Sequence, residues 1–202
     1  MTRIKYLLSD LDGVIRHFSP ERDQEIEKRC GLSSGALLGT AFEKSLLTRA
    51  ITGILSDESW RNEIIELLSK TYPKNLAIQA VKDWSSFPGK VDFRYLEYLE
   101  VKFSDVPVAV LTNGTSRLHQ DLKTLGIAER FFKIFNSAEI GICKPDKKIF
   151  NHVIEVLSCK PSEVFFIDDS LSHVNAAEEL GMAVHHYSSL EDFQKSVGEY
   201  LI

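Results

Sequence analysis

The sequence is poor in cysteine, and none of its cysteines is spaced like a metal ligand. Its 202 residues include 3 cysteines, Cys30, Cys143 and Cys159. So small and odd a set favours reduced thiols over a disulfide framework. The chain also lacks an apolar run long enough to cross a bilayer and a secretory signal at its N-terminus. These absences predict a cytoplasmic protein with no membrane partner.

An excess of positive charge is missing as well. Lysine and arginine number 24 against 29 aspartate and glutamate residues, which gives a formal net charge of -5. Nucleic acids and anionic membranes bind basic surfaces, so we expect neither as a partner. A small anionic ligand is compatible with this balance, because a metal ion and a few local cations can make one site positive. No pattern in the sequence indicates an oligomeric state.

Short apolar runs in the sequence predict buried β-strands. Each run is rich in Val, Ile, Leu or Phe and is bounded by polar residues, Gly or Pro. The runs cover residues 4–9, 106–112, 133–136, 164–167 and 183–187. Amphipathic helical patterns at 116–125, 146–157 and 171–180 lie between the later runs. This alternation predicts an α/β fold, a doubly wound, Rossmann-like parallel sheet with helices on both faces.

The stretch from residue 16 to residue 87 interrupts this alternation. Its pattern is helical without a clear strand, and it predicts four helices at 21–30, 36–46, 57–71 and 76–83. The sequence Phe87-Pro88-Gly89 then marks the return to the sheet. We therefore expect a core of residues 1–15 and 88–202, with a small four-helix cap of residues 16–87 over the carboxyl ends of the strands.

The first predicted strand leads into two aspartates, Asp10 and Asp12, which Gly13 follows. Side chains at i and i+2 of a strand point the same way, so both carboxylates project from its carboxyl end. Open parallel sheets bind ligands at that end. Neighbouring carboxylates repel each other, which favours a bound cation or a shared proton. The alternative interpretation is a strand-end cap followed by an ordinary Asp-Gly turn.

Later segments place further polar groups in comparable positions. Thr112 and Asn113 end the second predicted strand, where they could donate to a phosphate oxygen or simply form an Asn-Gly turn. Lys144, in a loop before a helix, could place its charge on a phosphate or be solvated. Asp168 and Asp169 follow an apolar strand, where adjacent acids are costly unless solvated, paired or bound to metal. Together the acids form the oxygen-rich set that Mg²⁺ prefers, although either one alone could cap a helix.

Taken in order, these segments resemble the four motifs of the haloacid dehalogenase-like superfamily. The motifs are Asp10-Leu11-Asp12-Gly13-Val14, Thr112-Asn113-Gly114, Lys144-Pro145 and Asp168-Asp169, and they span nearly the whole chain. The helical insert resembles the small cap of the branch that includes sugar-phosphate phosphatases, phosphoglycolate phosphatase and β-phosphoglucomutase. The segments before Trp60 and after Lys144 look closest to the α-glucose-1-phosphatase-like hydrolases of that branch.

The resemblance implies a phosphatase that acts on a small phosphorylated metabolite such as a sugar phosphate. Asp10 would attack phosphorus and become an aspartyl phosphate. Asp12 would protonate the leaving oxygen and then take a proton from the hydrolytic water. The transferring phosphoryl oxygens would be held by Thr112, Asn113 and Lys144.

The resemblance also implies a Mg²⁺ cofactor. The ion would bind the carboxylate of Asp10, the backbone carbonyl of Asp12 and the carboxylate of Asp169. Asp168 would lie close by, either as a ligand or as a partner of the ligands. A metal and a lysine beside the phosphoryl group would supply the charge neutralisation that phosphoryl transfer requires.

Departures from related branches narrow the expected activity. The presence of Asp12 makes carbon–halogen and carbon–phosphorus cleavage unexpected, because those branches lack this second aspartate. Mutases of the family carry an arginine in a cap loop, whereas the nearest stretch here ends in the apolar Phe42. A phosphotransferase such as a sugar-phosphate mutase remains the alternative. A non-catalytic binding protein on this fold would require damage to the motifs, and none is present.

Several other residues carry weaker signals. Arg16 could face the substrate or belong to a surface hinge, and His173 is expected to be solvated or to support the acidic pair. The aromatic residues Trp60, Trp84 and Phe87 are expected to pack within the cap rather than form a recognition surface.

Overall fold

The computed structural model describes residues 3–200, with side chains described through Val197. Among these residues, none of the helices has the length and apolar character needed to cross a bilayer. The strands are β1 (Tyr6–Ser9), β2 (Arg16–His17), β3 (Lys90–Val91), β4 (Val108–Thr112), β5 (Lys133–Asn136), β6 (Val164–Asp168) and β7 (Ala183–His186). The helices are α1 (Pro20–Arg29), α2 (Ala36–Ala41), α3 (Lys44–Ile51), α4 (Asp57–Leu68), α5 (Lys74–Ser85), α6 (Phe93–Lys102), α7 (Leu118–Thr124), α8 (Ser137–Ile140), α9 (Lys147–Leu157), α10 (Leu171–Glu178) and α11 (Leu190–Tyr200).

A parallel sheet of 5 strands, in the order β5-β4-β1-β6-β7, forms the centre of the molecule. The first strand of the chain is the middle strand of the sheet. In the observed register, Ser9 of β1 lies between Val110 of β4 and Ile167 of β6. The predicted strands and the doubly wound parallel fold are therefore confirmed. This order brings the segments that follow β1, β4 and β6 together at one edge.

Alternation along the strands divides the core of the sheet into two layers. Leu7 packs on one face with Tyr95 and Phe193, and Leu8 packs on the other face with Phe150 and Phe166. All of these side chains are fully buried. Because burial of one large apolar side chain contributes about 1.5–3 kcal/mol, the two layers hold the strand ends rigidly in place.

The helical insert, α1 to α5, has an apolar core of its own. Leu37, Trp60, Ile64 and Val81 are among its buried residues. Four helices were expected here, but the structure has five, because the predicted helix at 36–46 is two helices. The chain leaves the helical conformation after Ala41, and the carboxylate of Glu43 then accepts hydrogen bonds from the amides of the next helical turn.

The insert is tied to the sheet at its two ends and at its far side. Arg16 of β2 pairs with Val91 of β3 in an antiparallel ribbon, so the chain enters and leaves the insert at one place. On the far side, the backbone amide of Asp57 donates to the hydroxyl of Ser116, at 2.9 Å. The helices therefore lie over loops that follow the central strands. We retain the division into a core of 1–15 and 88–202 and a cap of 16–87 as a proposal.

Candidate active site

Asp10 lies directly after β1, where the centre of the sheet ends. Its backbone amide donates to the carbonyl of Ile167 at 2.8 Å, which extends the pairing with β6 by one residue. The amide of Leu11 donates to Oδ1 of Asp10 at 2.7 Å. The residue is only 6% exposed. A carboxylate is thus held in a fixed orientation in a nearly dry place.

Lys144 brings the only charge that directly balances Asp10 among the described residues. Its Nζ lies 2.8 Å from Oδ1 of Asp10 and 2.6 Å from Oδ2 of Asp168. It also donates to the carbonyl of Leu111 at 2.9 Å. All 3 hydrogens of the ammonium group therefore have acceptors, which is the condition under which a lysine can be buried.

Asn113 fixes the backbone of Lys144. Its Nδ2 donates to the carbonyl of Lys144 at 3.0 Å, and its Oδ1 accepts from the amide of Lys144 at 2.8 Å. The two bonds hold the lysine loop against the end of β4, where Thr112 is buried. In this structure the Asn113 side chain therefore positions Lys144. Direct contact of Thr112 and Asn113 with a phosphate stays a prediction.

Asp168, at the end of β6, is fully buried and has several partners. Besides Lys144, the amide of Ser170 donates to Oδ1 at 2.8 Å, and Nδ1 of His173 lies 3.0 Å from the same oxygen. His173 is thus a partner of the acidic pair, in line with the sequence expectation. These contacts use both oxygens of Asp168, which leaves little capacity for direct metal binding.

The charges of this cluster strongly perturb one another. Burial raises the pKa of Asp10 to about 8, and the nearby Lys144 offsets only part of that effect. Burial also acts on Asp168, but the contacts with His173 and Lys144 outweigh it and lower its pKa. For Lys144, burial is outweighed by Asp10 and Asp168, which raise its pKa. One ammonium group serves two buried carboxylates, so a bound cation would favour ionisation of both.

Asp12 is held by Arg16 in a bidentate ion pair. The Nε and Nη2 atoms of Arg16 lie 2.5 and 2.9 Å from the two carboxylate oxygens of Asp12. Arg16 is buried, and its guanidinium also lies 3.5 Å from Asp121. The planar fork of an arginine orients a carboxylate, which an ammonium group cannot do in the same way. Sequence reasoning considered Arg16 only as a substrate contact or a hinge, because a pair with Asp12 has no distinctive local pattern.

Asp169 lies against Gly13, the residue that directly follows Asp12 in the loop after β1. Gly13 has a φ of +93°, and a Cβ added there would overlap Oδ2 of Asp169. Burial, followed by the charge of Asp168, raises the pKa of Asp169. Asp10 and Asp169 are therefore two carboxylates whose pKa values are raised. The missing Cβ of Gly13 lets the Asp169 carboxylate approach the loop after β1, and oxygen ligands of this kind suit a small divalent cation.

A second possible ligand set includes a histidine. Asp10, Asp168 and His173 each offer one atom, and these atoms lie within 4.8 Å of one another. The oxygens of Asp168, however, already accept hydrogen bonds from Lys144 and Ser170. Mg²⁺ also prefers oxygen to imidazole nitrogen. Binding of Mg²⁺ by Asp10 and Asp169 stays a prediction.

A cavity of about 360 Å³ lies between the insert and the site. Asp12 and Asn113 line it from the side of the sheet, and Phe42, Trp60 and Trp84 line it from the insert. Trp60 and Trp84 were expected only to pack within the cap. They do pack against the core of the insert, but they also face this cavity.

Comparison with known proteins identifies relatives over nearly the full chain. Residues 10–186 match the family model described as haloacid dehalogenase-like hydrolase. The bifunctional epoxide hydrolase 2 of Sus scrofa is 25% identical over 96% of this chain, which spans only 39% of that protein. The D-ribitol-5-phosphate phosphatase of Bacteroides thetaiotaomicron is 23% identical, with 96% and 97% of the two chains covered.

A solved structure shows the same architecture. It is a HAD family enzyme from Bacteroides thetaiotaomicron in complex with magnesium and inorganic phosphate. Its TM-score is 0.78 at 26% identity, with 95% of this chain and 98% of that chain covered.

Proposed function

This chain belongs to the haloacid dehalogenase-like hydrolases, and we propose that it is a Mg²⁺-dependent phosphatase that hydrolyses a small phosphomonoester through Asp10. The observation that carries the proposal is the buried contact of Lys144 with Asp10 and Asp168 at the ends of adjacent strands. A cation so placed beside a buried carboxylate is suited to a dianionic phosphoryl group that the carboxylate attacks.

In the first step, an oxygen of Asp10 attacks phosphorus, and the bond between phosphorus and the alcohol oxygen breaks. Asp12 gives a proton to that oxygen, so the alcohol leaves in neutral form. In the second step, Asp12 takes a proton from a water molecule, whose oxygen attacks the aspartyl phosphate. Phosphate leaves, and the Asp10 carboxylate is restored. Arg16 holds the carboxylate of Asp12 in one orientation, which suits its role as the base in the second step.

Several polar groups of the core hold the phosphoryl group in this proposal. Lys144 supplies positive charge, and Asn113 keeps the lysine loop in position through its two hydrogen bonds. Thr112 and Asn113 lie at the end of β4, next to the strand that carries Asp10. Their hydroxyl and amide groups are suited to the phosphoryl oxygens.

The residues suited to Mg²⁺ are Asp10, the backbone carbonyl of Asp12, and Asp169. Asp168 acts through Lys144 and His173, since both of its oxygens are already engaged. When bound, the ion supplies the positive charge that offsets repulsion between the carboxylates and the phosphate. The related HAD family enzyme that binds magnesium and inorganic phosphate supports this assignment.

The relatives support a phosphomonoester as substrate. The D-ribitol-5-phosphate phosphatase is similar to this chain over nearly its whole length. Cleavage of an epoxide or a carbon–halogen bond has no comparable support here, because Asp12, the second aspartate of the first motif, is suited to proton transfer. We propose water as the final acceptor. The segment that ends in Phe42 forms the end of α2, and the hydroxyl of Thr40 in it already donates to the carbonyl of Ala36, so it offers no free polar side chain to hold a second sugar.

The direct experiment is phosphate release from a panel of monoesters that includes p-nitrophenyl phosphate, with Mg²⁺ and with excess chelator. We expect release with Mg²⁺, almost none with chelator, and recovery on adding Mg²⁺ back. Ca²⁺ should substitute poorly because its coordination is longer and looser. Full activity in excess chelator would contradict the metal assignment. No release from any ester would contradict the phosphatase assignment.

A second experiment separates hydrolysis from transfer. In the Asp12→Asn variant, an activated ester should still phosphorylate Asp10, because its leaving group needs no acid. The phosphorylated protein should then accumulate as an acid-stable, base-labile adduct that mass spectrometry detects. In the wild type, a sugar acceptor should not divert phosphate from release. A sugar-phosphate isomer that forms faster than free phosphate would establish the mutase alternative.

A further inference from the structure

We propose that the alcohol part of the substrate is apolar and binds in the cavity between the insert and the core. This inference rests on the proposed phosphatase function and narrows its substrate class. The cavity measures about 360 Å³, within the range of roughly 300–1,000 Å³ that is usual for small-molecule sites. Because Asp12 and Asn113 line it, an alcohol bound there would have its oxygen next to the proposed acid.

Aromatic side chains form much of the cavity surface. We call Phe18, Phe42, Trp60, Trp84 and Phe87 the aromatic wall. Phe42 packs edge-on against both tryptophans, with ring centroids 6.4 Å from Trp60 and 6.3 Å from Trp84. Phe42 is nevertheless 53% exposed. An aromatic residue held by neighbours but left uncovered offers a ready surface for an apolar ligand.

The charged groups beside the aromatic wall are already paired. Nη2 of Arg61 lies 2.7 Å from Asp57, and Nε of Arg117 donates to Asp121 at 2.8 Å. Arg117 also donates to the carbonyl of Ser85 at 2.5 Å. A substrate carboxylate or second phosphate would have to break these pairs to find a counter-ion.

The remaining arginines of the cavity are engaged in the same way. Arg16 holds Asp12 and stacks over Phe18, with its guanidinium carbon 5.1 Å from the ring centroid. Arg22 stacks over Phe87 at 5.0 Å and donates to the carbonyls of Asp83 and Trp84. Four arginines and four aspartates line the cavity, so its ionic charge is balanced. An uncharged organic group therefore fits it best.

The neutral polar side chains of the cavity are also occupied. The hydroxyl of Thr115 donates to Asp57 at 3.2 Å, and the hydroxyl of Ser85 accepts from Arg61 at 3.3 Å. Asn113 makes two bonds to Lys144, which leave one N–H of its amide. A sugar requires several free donors and acceptors at fixed positions, because each hydroxyl loses water when it binds. This surface does not offer them, whereas an apolar alcohol needs none.

The test compares monoesters of primary alcohols, so that the chemistry of the leaving oxygen stays similar. The panel contains methyl, hexyl, decyl and naphthylmethyl phosphate, together with D-ribitol 5-phosphate and glucose 6-phosphate. We expect kcat/KM to rise by about fourfold per buried methylene along the alkyl series until the cavity is full. Comparison of naphthylmethyl phosphate with decyl phosphate shows whether an aromatic or an aliphatic alcohol is preferred.

The outcomes test the apolar alcohol separately from the phosphatase function. Faster turnover of the decyl or naphthylmethyl ester than of both polyol phosphates supports an apolar alcohol. Preference for ribitol or glucose phosphate overturns this inference and leaves the phosphatase function intact. If no ester of the panel, nor p-nitrophenyl phosphate, releases phosphate with Mg²⁺, both proposals fail.

A matched pair of variants tests where the alcohol binds. Phe42→Ala should lower the ratio of kcat/KM for decyl over methyl phosphate by about tenfold, because it removes an uncovered part of the aromatic wall. Phe132→Ala is the control, since Phe132 is 62% exposed but does not line the cavity. The control should keep the wild-type ratio. An unchanged ratio in Phe42→Ala, with decyl phosphate still preferred, would place the alcohol elsewhere and overturn the assignment of this cavity.

Discussion

Two neighbouring regions of this protein differ in the kind of side chain that they bring together. The charged cluster of Asp10, Lys144 and Asp168 concentrates ions where water is almost excluded. The aromatic wall faces Asp12 across the cavity and leaves Phe18 and Phe42 about half exposed, and the arginines beside it are paired. The cluster is suited to phosphoryl transfer, which is the same reaction for every phosphomonoester. The wall is suited to discriminating between substrates by their alcohol groups. In our proposal, chemistry and substrate selection therefore lie on different parts of the chain, the core and the insert.

The two regions should also differ in their tolerance of change. Removal of one member of a buried ion cluster leaves an uncompensated charge, which typically costs about 3–5 kcal/mol. Loss of a ring from the wall removes packing at a place that is already partly open to solvent. Substitutions in the cluster should therefore affect all substrates, and substitutions in the wall should affect their ranking.

The largest expected effect comes from Asp10→Asn. The amide oxygen can still accept from Lys144 and Leu11, so the fold should survive, but an amide is not an effective nucleophile. Turnover should fall by about 10⁴-fold or more for every ester, too far to compare the substrates by their residual activity. Phosphate release and a thermal melt check both parts. Appreciable activity in a correctly folded variant would show that another group attacks phosphorus.

Arg16→Lys comes next, because Arg16 holds the proposed acid Asp12 and stacks over Phe18 of the aromatic wall. Lysine cannot reproduce the bidentate contact with Asp12, so kcat should fall by about ten- to hundredfold for apolar and polar esters alike. Arg94→Lys is a matched control, since Arg94 forms an exposed ion pair with Glu191. The control should behave like the wild type. A change in substrate ranking without a loss of kcat would instead make Arg16 part of the selective wall.

Gly13→Ala tests the metal site without replacing a proposed ligand. The added Cβ would overlap the carboxylate of Asp169, so the Mg²⁺ concentration for half-maximal activity should rise by about tenfold or more. Gly126→Ala is the control, because Gly126 also has a positive φ, of +70°, but has nothing within 4 Å of an added Cβ. Both variants should lose some stability from backbone strain. Equal Mg²⁺ requirements in the two would argue against Asp169 as a ligand.

The last prediction concerns the free energy of unfolding of the metal-free protein and involves no change in turnover. The pKa of Asp10 is raised to about 8, so the folded protein keeps a proton that the unfolded chain releases above about pH 4. The free energy of unfolding should therefore fall as the pH rises from about 4 to about 8. Asp168, with its lowered pKa, acts oppositely, and its contribution is lost as the pH falls through that lowered pKa.

Denaturant titrations in chelator at about pH 5 and about pH 7.5 measure this slope. Asp10→Asn should make the slope less negative, because the variant has no carboxyl to titrate. A wild-type slope in the variant would mean that Asp10 is not the group responsible.

Much of the fold could be predicted because its signals are local. Each central strand is a short apolar run with its own boundaries, and each amphipathic helix repeats within a few residues. The division of the segment at 36–46 into α2 and α3 was missed for a local reason as well. Glutamate is not among the preferred N-cap residues, so Glu43 gave no signal of a helix start.

The candidate site was predictable in its members and not in its contacts. The motif residues Asp10, Lys144 and Asp168 could be named in advance, since they follow strands or precede a helix in a known order. That Asn113 would hold the lysine loop, and that Arg16 would hold Asp12, could not be predicted. Such pairs depend on the order of the strands and on the directions of side chains from segments far apart in the chain. Local periodicity of the sequence carries no information about either.

The sequence by itself determined the type of sheet, the helical nature of the insert and the set of groups available for chemistry. These features follow from hydrophobic periodicity and from residue chemistry, which act over a few neighbouring positions. Only the tertiary structure decided that β1 lies between β4 and β6 and that the insert turns its aromatic wall toward Asp12. The physical reason is that ion pairing and cavity shape arise between segments far apart in the chain, and packing of the whole core selects which segments meet.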